Sequence, residues 1–408
     1  MRSLVKNIGW LSVFQVINLG APLVVLPYLS RKLGVTGFGE FALAVALIQL
    51  SYVITDYGFS LSGIYRLARA NGDKVHIERI LSGILSAKII LINVVLSIGV
   101  AFVLLSDYRE RNIIVMLAML SVIGQAFQLV WFFQGVGRLA SYVMVSALCR
   151  AGYVILIILF VDNPADGAFA IFSLSLSNLV SGMAALLMLH MGGYRLRLDS
   201  FKVAVTELKL SFEYFTSRIA AASFTSAATL ISGIGGAGSA ALYASADQCY
   251  RAFQSMLAPI NQALFPMMAR DRNWRTFALV VSFVLVGLLI LASFFIKNAD
   301  SLIIFLFGDE FAAAAETLAI LTVALCVNFL SVCLGYPAFA AINRVDVANK
   351  TVVGGAMFFV ALGFVLNYFF KINQIVVANM VLCTEAIILS SRIICLVWIN
   401  KTNNINRM

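Results

Sequence analysis

The chain has 408 residues, of which 62% are hydrophobic and only 12% charged, with a formal net charge of +10. A soluble domain of this size could not cover itself with so few polar groups, so the composition is that of a polytopic membrane protein. The positive balance comes from basic loops between apolar segments and calls for no nucleic-acid partner.

Hydropathy along the chain predicts twelve membrane spans. The first, about 7–33, follows the basic Met1–Lys6 and is too long for a signal peptide, so it reads as a retained span interrupted by Pro22 and Pro27. A glycine-rich turn at 34–39 leads into span two (39–65), which carries Asp56. Spans three to six are expected near 80–106, 112–134, 140–161 and 168–190, with Lys88 in the third and Arg150 in the fifth. A basic stretch at 192–206 then separates two halves. Span seven (207–232) holds Glu213 and Arg218. A second glycine turn, Gly233–Gly238, precedes span eight (239–268), where Asp247 and Arg251 sit four residues apart on one helical face. The remaining spans fall near 275–297, 311–342, 346–370 and 372–400, the last with Glu385 and Arg392. Leu302–Phe307 forms a short apolar shelf before span ten.

The basic residues set the orientation. Eighteen of them, including Arg2, Arg66, Arg69, Lys74, Arg138, Arg195, Arg270, Arg344 and Lys401, fall at one set of span ends, and six at the other: Arg31, Lys32, Arg109, Arg111, Lys297 and Lys371. The positive-inside rule puts the larger set and both termini in the cytoplasm. Trp10, Trp131, Trp274 and Trp398 all lie near those cytoplasmic ends, where interfacial aromatic belts are expected.

Five bases are left inside the spans: Lys88, Arg150, Arg218, Arg251 and Arg392. The acids at comparable depth are Asp56, Glu213, Asp247 and Glu385. Lys88 and Arg392 lie about two turns from a cytoplasmic end, where snorkelling is as good an account as a functional one. Arg150, Arg218 and Arg251 lie deeper, where a charge faces a bundle interior or a wet cavity. Self-contained ion pairs are one reading of them, and a cation-rich cavity suited to phosphate is the other. The acids either balance these charges or bind a coupling proton or sodium ion. Intramembrane amides such as Gln15, Asn18, Gln125, Gln128, Gln254, Asn261 and Asn328 serve as helix–helix bonds or as sugar-binding groups, with Gln125/Gln128 and Gln254/Asn261 expected to share faces.

Other chemistries lack their residues. His76 and His190 stand apart, and the cysteines at 149, 249, 326, 333, 383 and 395 lie in apolar segments without metal or redox spacing, so they read as small buried side chains. No GxxxxGK[ST], GxSxG or HExxH run occurs, and no loop is long enough for a catalytic domain. The chain therefore reads as a non-enzyme without a bound cofactor. A weak internal repeat lays Gly34–Ala44 over Gly236–Ala246. It predicts an all-α fold of two six-helix lobes (1–191 and 207–408) related by a pseudo-twofold along the membrane normal, joined by a cytoplasmic connection at 192–206.

Several collinear motifs carry a family resemblance: Asn7-Ile-Gly-Trp10, Pro27-Tyr-Leu-Ser-Arg31-Lys-Leu-Gly34, Gly37-Phe-Gly39, Asp56-Tyr-Gly-Phe59 and Arg66-Leu-Ala. Further on come Leu306-Phe-Gly308, Tyr336-Pro337 and Asn343-Arg344. In this order the chain resembles the Wzx-type polysaccharide flippases of the multidrug/oligosaccharidyl-lipid/polysaccharide exporter superfamily. The resemblance implies a bacterial inner-membrane protein that moves an undecaprenyl-pyrophosphate-linked oligosaccharide, such as an O-antigen repeat, to the periplasmic leaflet. It further implies a cationic cavity, with Arg31 and Asp56 standing where the motif places functional charges and Arg251 in the corresponding region of span eight. Lys88, Arg150 and Arg218 belong to no sharp motif and are assigned to the cavity by their depth. The polysaccharide polymerase and chain-length regulator are implied partners. A multidrug exporter of the same superfamily would favour an acidic or aromatic cavity, against five bases and four acids here. An integral-membrane polymerase would need a long periplasmic loop, and the predicted ones are short.

Overall fold

A computed structural model of the chain describes the backbone of residues 2–70, 73–105 and 109–405. Side-chain surroundings are described within 20–399, apart from 68, 71, 72, 106–111, 217, 221 and 223–225. The expectations for Trp10, Gln15, Asn18, Arg109 and Arg111 concern side chains outside that set.

The described residues are mostly helical, joined by short turns and by one irregular stretch at 192–200. They run α1 (Arg2–Asp56), α2 (Phe59–Arg69), α3 (Lys74–Leu105), α4 (Arg109–Ala126), α5 (Val130–Gly135), α6 (Leu139–Phe160), α7 (Gly167–Met191) and α8 (Phe201–Ser232). There follow α9 (Ala237–Asp271), α10 (Trp274–Lys297), α11 (Ala299–Phe307), α12 (Ala315–Cys333), α13 (Tyr336–Ala341), α14 (Val345–Phe369) and α15 (Gln374–Ile405). The expected apolar shelf at 302–307 is thus the body of a short helix, α11.

Among the described residues nine stretches are long and apolar enough to cross a membrane, the first running from Gly20 to Leu67. Helix α9 falls outside that set, with Gln254, Asn261 and Gln262 lowering the hydropathy of its charge-free part, and part of α8 lies outside the described side chains. The surface is apolar where a soluble protein's would be polar. Phe283 is 79% and Phe364 77% exposed, whereas Lys88 is 1% exposed. Only a lipid solvent makes that inversion favourable, since apolar side chains cost nothing there and a bare charge costs several kcal/mol, of order 3 or more.

Three glycines break helical runs in the same way, one of them Gly308 (φ 99, ψ 167) at the end of α11. Gly34 (φ 67, ψ −178) interrupts α1, and Gly236 (φ 102, ψ 168) precedes α9. This backbone region is nearly closed to residues with a Cβ. Gly34 and Gly236 are the positions that the internal repeat superposes.

The chain divides into two compact units, Met1–Ala222 and Ser223–Met408. The division lies within α8, not at the 192–206 connection. The reason is local: Glu207, Ser211 and Arg218 of α8 all bond to side chains of α1 and α2.

The first unit is packed around Phe59, Leu81, Ile84, Trp131, Phe132 and Tyr142. Trp131 is 2% exposed and sits in this core, which corrects its placement in an interfacial belt; Trp274 and Trp398 are exposed. Helix α7 turns a serine-rich face to its neighbours, where Ser175 donates to Leu117 O (2.8 Å), Asn178 to Ser121 Oγ (2.6 Å) and Ser177 to Cys149 O (2.9 Å). In a medium without water such bonds hold helices together. Gln125 and Gln128 do not share a face, because α4 ends at Ala126 and Gln128 lies in the following turn, donating to Asn178 Oδ1 (3.0 Å). Of the cysteines, 249, 326 and 333 are buried, but Cys383 is exposed on α15, contrary to its reading as a core residue.

Candidate functional site

In the first unit the charged side chains can be placed by counting from a common end. Arg66 of α2 pairs bidentately with Glu207 of α8, Arg195 N donates to Glu78 of α3 (3.0 Å), and the Arg138 guanidinium abuts Gly192. The C-terminal ends of α2 and α7 and the N-terminal ends of α3, α6 and α8 therefore meet. At 1.5 Å per residue, Arg150 lies about 17 Å from that end, Asp56 and Lys88 about 20 Å, and Arg218 about 25 Å. Four helices thus deliver four charges to a band about 8 Å deep, inside the span of a ~30 Å hydrocarbon layer.

Asp56 is the hub. Helix α1 stops there because Tyr57 (φ 47) and Gly58 (φ 78) adopt left-handed conformations before α2 starts. A Cβ on Gly58 would collide with Tyr214 of α8, so glycine is what lets the two helices close up. The Tyr57 and Phe215 rings stack at 4.2 Å, and Ser62 and Ser211 share a 2.8 Å hydrogen bond. This seam holds α8 so that Arg218 reaches Asp56.

The Asp56 carboxylate is 1% exposed and serves two cations. Lys88 Nζ lies 3.8 Å from Oδ1, and Arg218 Nε lies 3.5 Å from Oδ2. Ser60, one turn on, donates to Oδ2 (2.7 Å) and accepts from Arg218 Nη1 (3.0 Å). Lys88 also donates to Ala126 O (3.0 Å), at the C-terminus of α4, where unsatisfied carbonyls and the helix dipole favour a cation. Lys88 therefore does not snorkel; it is sealed in the core and held by a carboxylate and a helix end.

Arg150 is different. It is half-buried on α6 and, among the described residues, has no carboxylate partner; Tyr142, Tyr153 and Cys149 lie within electrostatic range. No hydrogen bond or ion pair among the described residues ties Arg150 to Asp56, whose own group comprises two cations and one buried carboxylate. Arg31 is not part of it: it lies exposed near Gly34, on the other side of that break in α1 from Asp56. Glu213 is also exposed.

The second unit resolves its charges internally. Arg251 Nε pairs with Asp247 Oδ2 at 2.5 Å, one turn apart on α9. Glu385 accepts from Asn328 Nδ2 (2.9 Å), and Asn328 accepts from Gln254 Nε2 (3.2 Å), a relay across α15, α12 and α9. Asn261 accepts from Cys333 (3.2 Å), so Gln254 and Asn261 both act as interhelical bonds. Arg392, 3% exposed, donates to Ser331 O (2.5 Å), Ser331 Oγ (3.0 Å) and Thr351 Oγ1 (3.0 Å), which excludes snorkelling here too.

Reading the sequence missed Ser60 and Glu207. The i,i+4 spacing of Asp56 and Ser60 is a signal that was present; nothing local marks Glu207, whose partner Arg66 is 141 residues away.

Residues 4–272 match the profile of a family described as polysaccharide biosynthesis protein. The chain is 30% identical over 270 residues to a protein of Escherichia coli (strain K12) named "Putative O-antigen transporter", covering 65% of this chain and 64% of that relative's length. A Shigella dysenteriae protein of the same name is 25% identical over 391 residues, covering 94% and 97%. Among solved structures, an inward-facing multidrug resistance MATE family transporter of the MOP superfamily aligns with TM-score 0.68 at 12% identity, over 96% of this chain and 97% of that one. The lipid II flippase MurJ, in an inward closed conformation, aligns with TM-score 0.67 at 13% identity, over 94% and 87%. These two likenesses are of fold.

Proposed function

From the premise that the chain belongs to the polysaccharide biosynthesis protein family, across residues 4–272, we propose that it is a flippase for a lipid-linked oligosaccharide. The substrate in this reading is an undecaprenyl-pyrophosphate-linked repeat unit, an O-antigen repeat in the first instance. It moves from the cytoplasmic to the periplasmic leaflet of a bacterial inner membrane. The names of the relatives support the substrate class, and the shared fold supports transport by alternating access. No chemical step on the sugar is required.

The observation that carries the reading is the surplus of cations at mid-membrane in the first unit. Lys88 and Arg218 divide one carboxylate between them, and Arg150 has none. A diphosphate supplies the missing negative charge, and a guanidinium fork can meet it with paired charge-assisted hydrogen bonds. Arg251, half-exposed beside Asp247, is the cation of the second unit open to the same role. Asp56, Asp247 and Glu385 balance these charges or take up a coupling proton or sodium ion.

Twelve spans follow if Gly34 divides the first long stretch in two and the charged α8 and α9 also cross the membrane. The common backbone conformation of Gly34 and Gly236 supports a repeat of six plus six. Both termini are cytoplasmic in this reading, and the polysaccharide polymerase and chain-length regulator are its downstream partners.

The direct test is complementation. A strain lacking its O-antigen flippase should regain surface polysaccharide when it expresses this chain, and proteoliposomes containing it should translocate a fluorescent undecaprenyl-pyrophosphate saccharide. Failure in both assays, with a gain in drug resistance instead, would assign the chain to multidrug export.

A further inference from the structure

A second site lies in the first unit, at the end where α6 begins and α7 stops. A hollow of about 220 Å³ opens there, lined by Phe132, Phe133, Met188 and Tyr194, with Arg138 and Ser141 as its polar groups. The Phe132 and Tyr194 rings meet edge to face at 5.1 Å and form a rigid apolar wall. Arg138 stands at the mouth, exposed, with its guanidinium against Gly192; Lys74 Nζ lies against Gly193 in the same turn. Neither side chain has a hydrogen bond or ion pair among the described residues. Arg138 is also the N-cap residue of α6, and no side chain caps that helix. The positive end of a 22-residue helix therefore faces the same place.

An apolar hollow in a membrane-spanning unit, rimmed by two unbalanced cations and an uncapped helix N-terminus, has one natural complement. We propose that this is a binding site for an anionic glycerophospholipid, with the phosphate over Arg138 and Lys74 and the start of an acyl chain in the aromatic hollow. Basic pockets between spanning helices bind such headgroups because each cation near an anionic lipid surface adds favourable Coulomb energy. The site is separate from the Asp56 cluster and does not depend on the flippase reading.

Native mass spectrometry of the full-length chain tests this, with phosphatidylglycerol and phosphatidylcholine of identical acyl chains titrated in turn. Phosphatidylglycerol should be retained at least tenfold better. Arg138→Gln should weaken its retention about fivefold and the Arg138→Gln/Lys74→Gln pair about 25-fold, while Arg138→Lys keeps the preference. Ser141→Phe, which fills the hollow, should lower retention of both lipids. Equal retention of the two lipids by the unmodified chain overturns the proposal. So does an unchanged preference in the double variant when size-exclusion chromatography shows it monodisperse, or loss of the preference in Arg138→Lys.

Discussion

The two units treat charge inside a membrane in opposite ways. In the first, one buried carboxylate is shared by a lysine and an arginine drawn from two other helices, and a further arginine is left to two tyrosines. In the second, Arg251 finds Asp247 one turn away on its own helix, Arg392 is satisfied by a carbonyl and two hydroxyls, and Glu385 rests on an amide relay. An intrahelical pair forms wherever its helix forms and is neutral by itself. A cluster assembled from several helices depends on the whole unit and keeps a net positive charge. The second arrangement is a way of tolerating charge, whereas the first leaves the positive surplus on which the proposed flippase role rests.

Asp56→Asn should break this contrast most severely. It strands Lys88 in the core with only the Ala126 carbonyl, and losing one partner of a buried pair costs about 3–5 kcal/mol. Asp247→Asn leaves a half-exposed arginine and should cost about 1 kcal/mol. Thermal unfolding in detergent would compare the two, and equal losses would contradict the division drawn here. Adding Lys88→Met to Asp56→Asn should recover much of the stability without restoring transport.

Arg150→Gln should separate function from folding. Because no internal partner is lost, melting should be unchanged or slightly raised, while surface polysaccharide in a flippase-deficient strain falls at least tenfold. Arg251→Gln should lower polysaccharide less, since Asp247 already engages that guanidinium. Normal polysaccharide in Arg150→Gln at wild-type protein level would remove Arg150 from the path. The smallest structural effect is expected from Glu385→Gln, in which the new amide can still accept from Asn328, so stability should change by about 1 kcal/mol or less. Transport that loses its dependence on the proton or sodium gradient in this variant would make Glu385 the coupling group; an unchanged dependence would leave it a structural acceptor.

Much was legible from the chain alone. Hydropathy is a sum over neighbours in sequence, so the apolar helices, their breaks at Gly34 and Gly236 and the identity of every intramembrane charge could be read without coordinates. Collinear motifs pointed to the family for the same reason. What tertiary structure alone decided is the partner of each charge. Asp56 meets Lys88 and Arg218 across 32 and 162 positions of sequence, Glu207 meets Arg66 across 141, and Trp131 turns inward to the core. In hydrocarbon every charge must find a partner or a ligand, and which one it finds is settled by how helices distant in sequence pack together, which no local sum records.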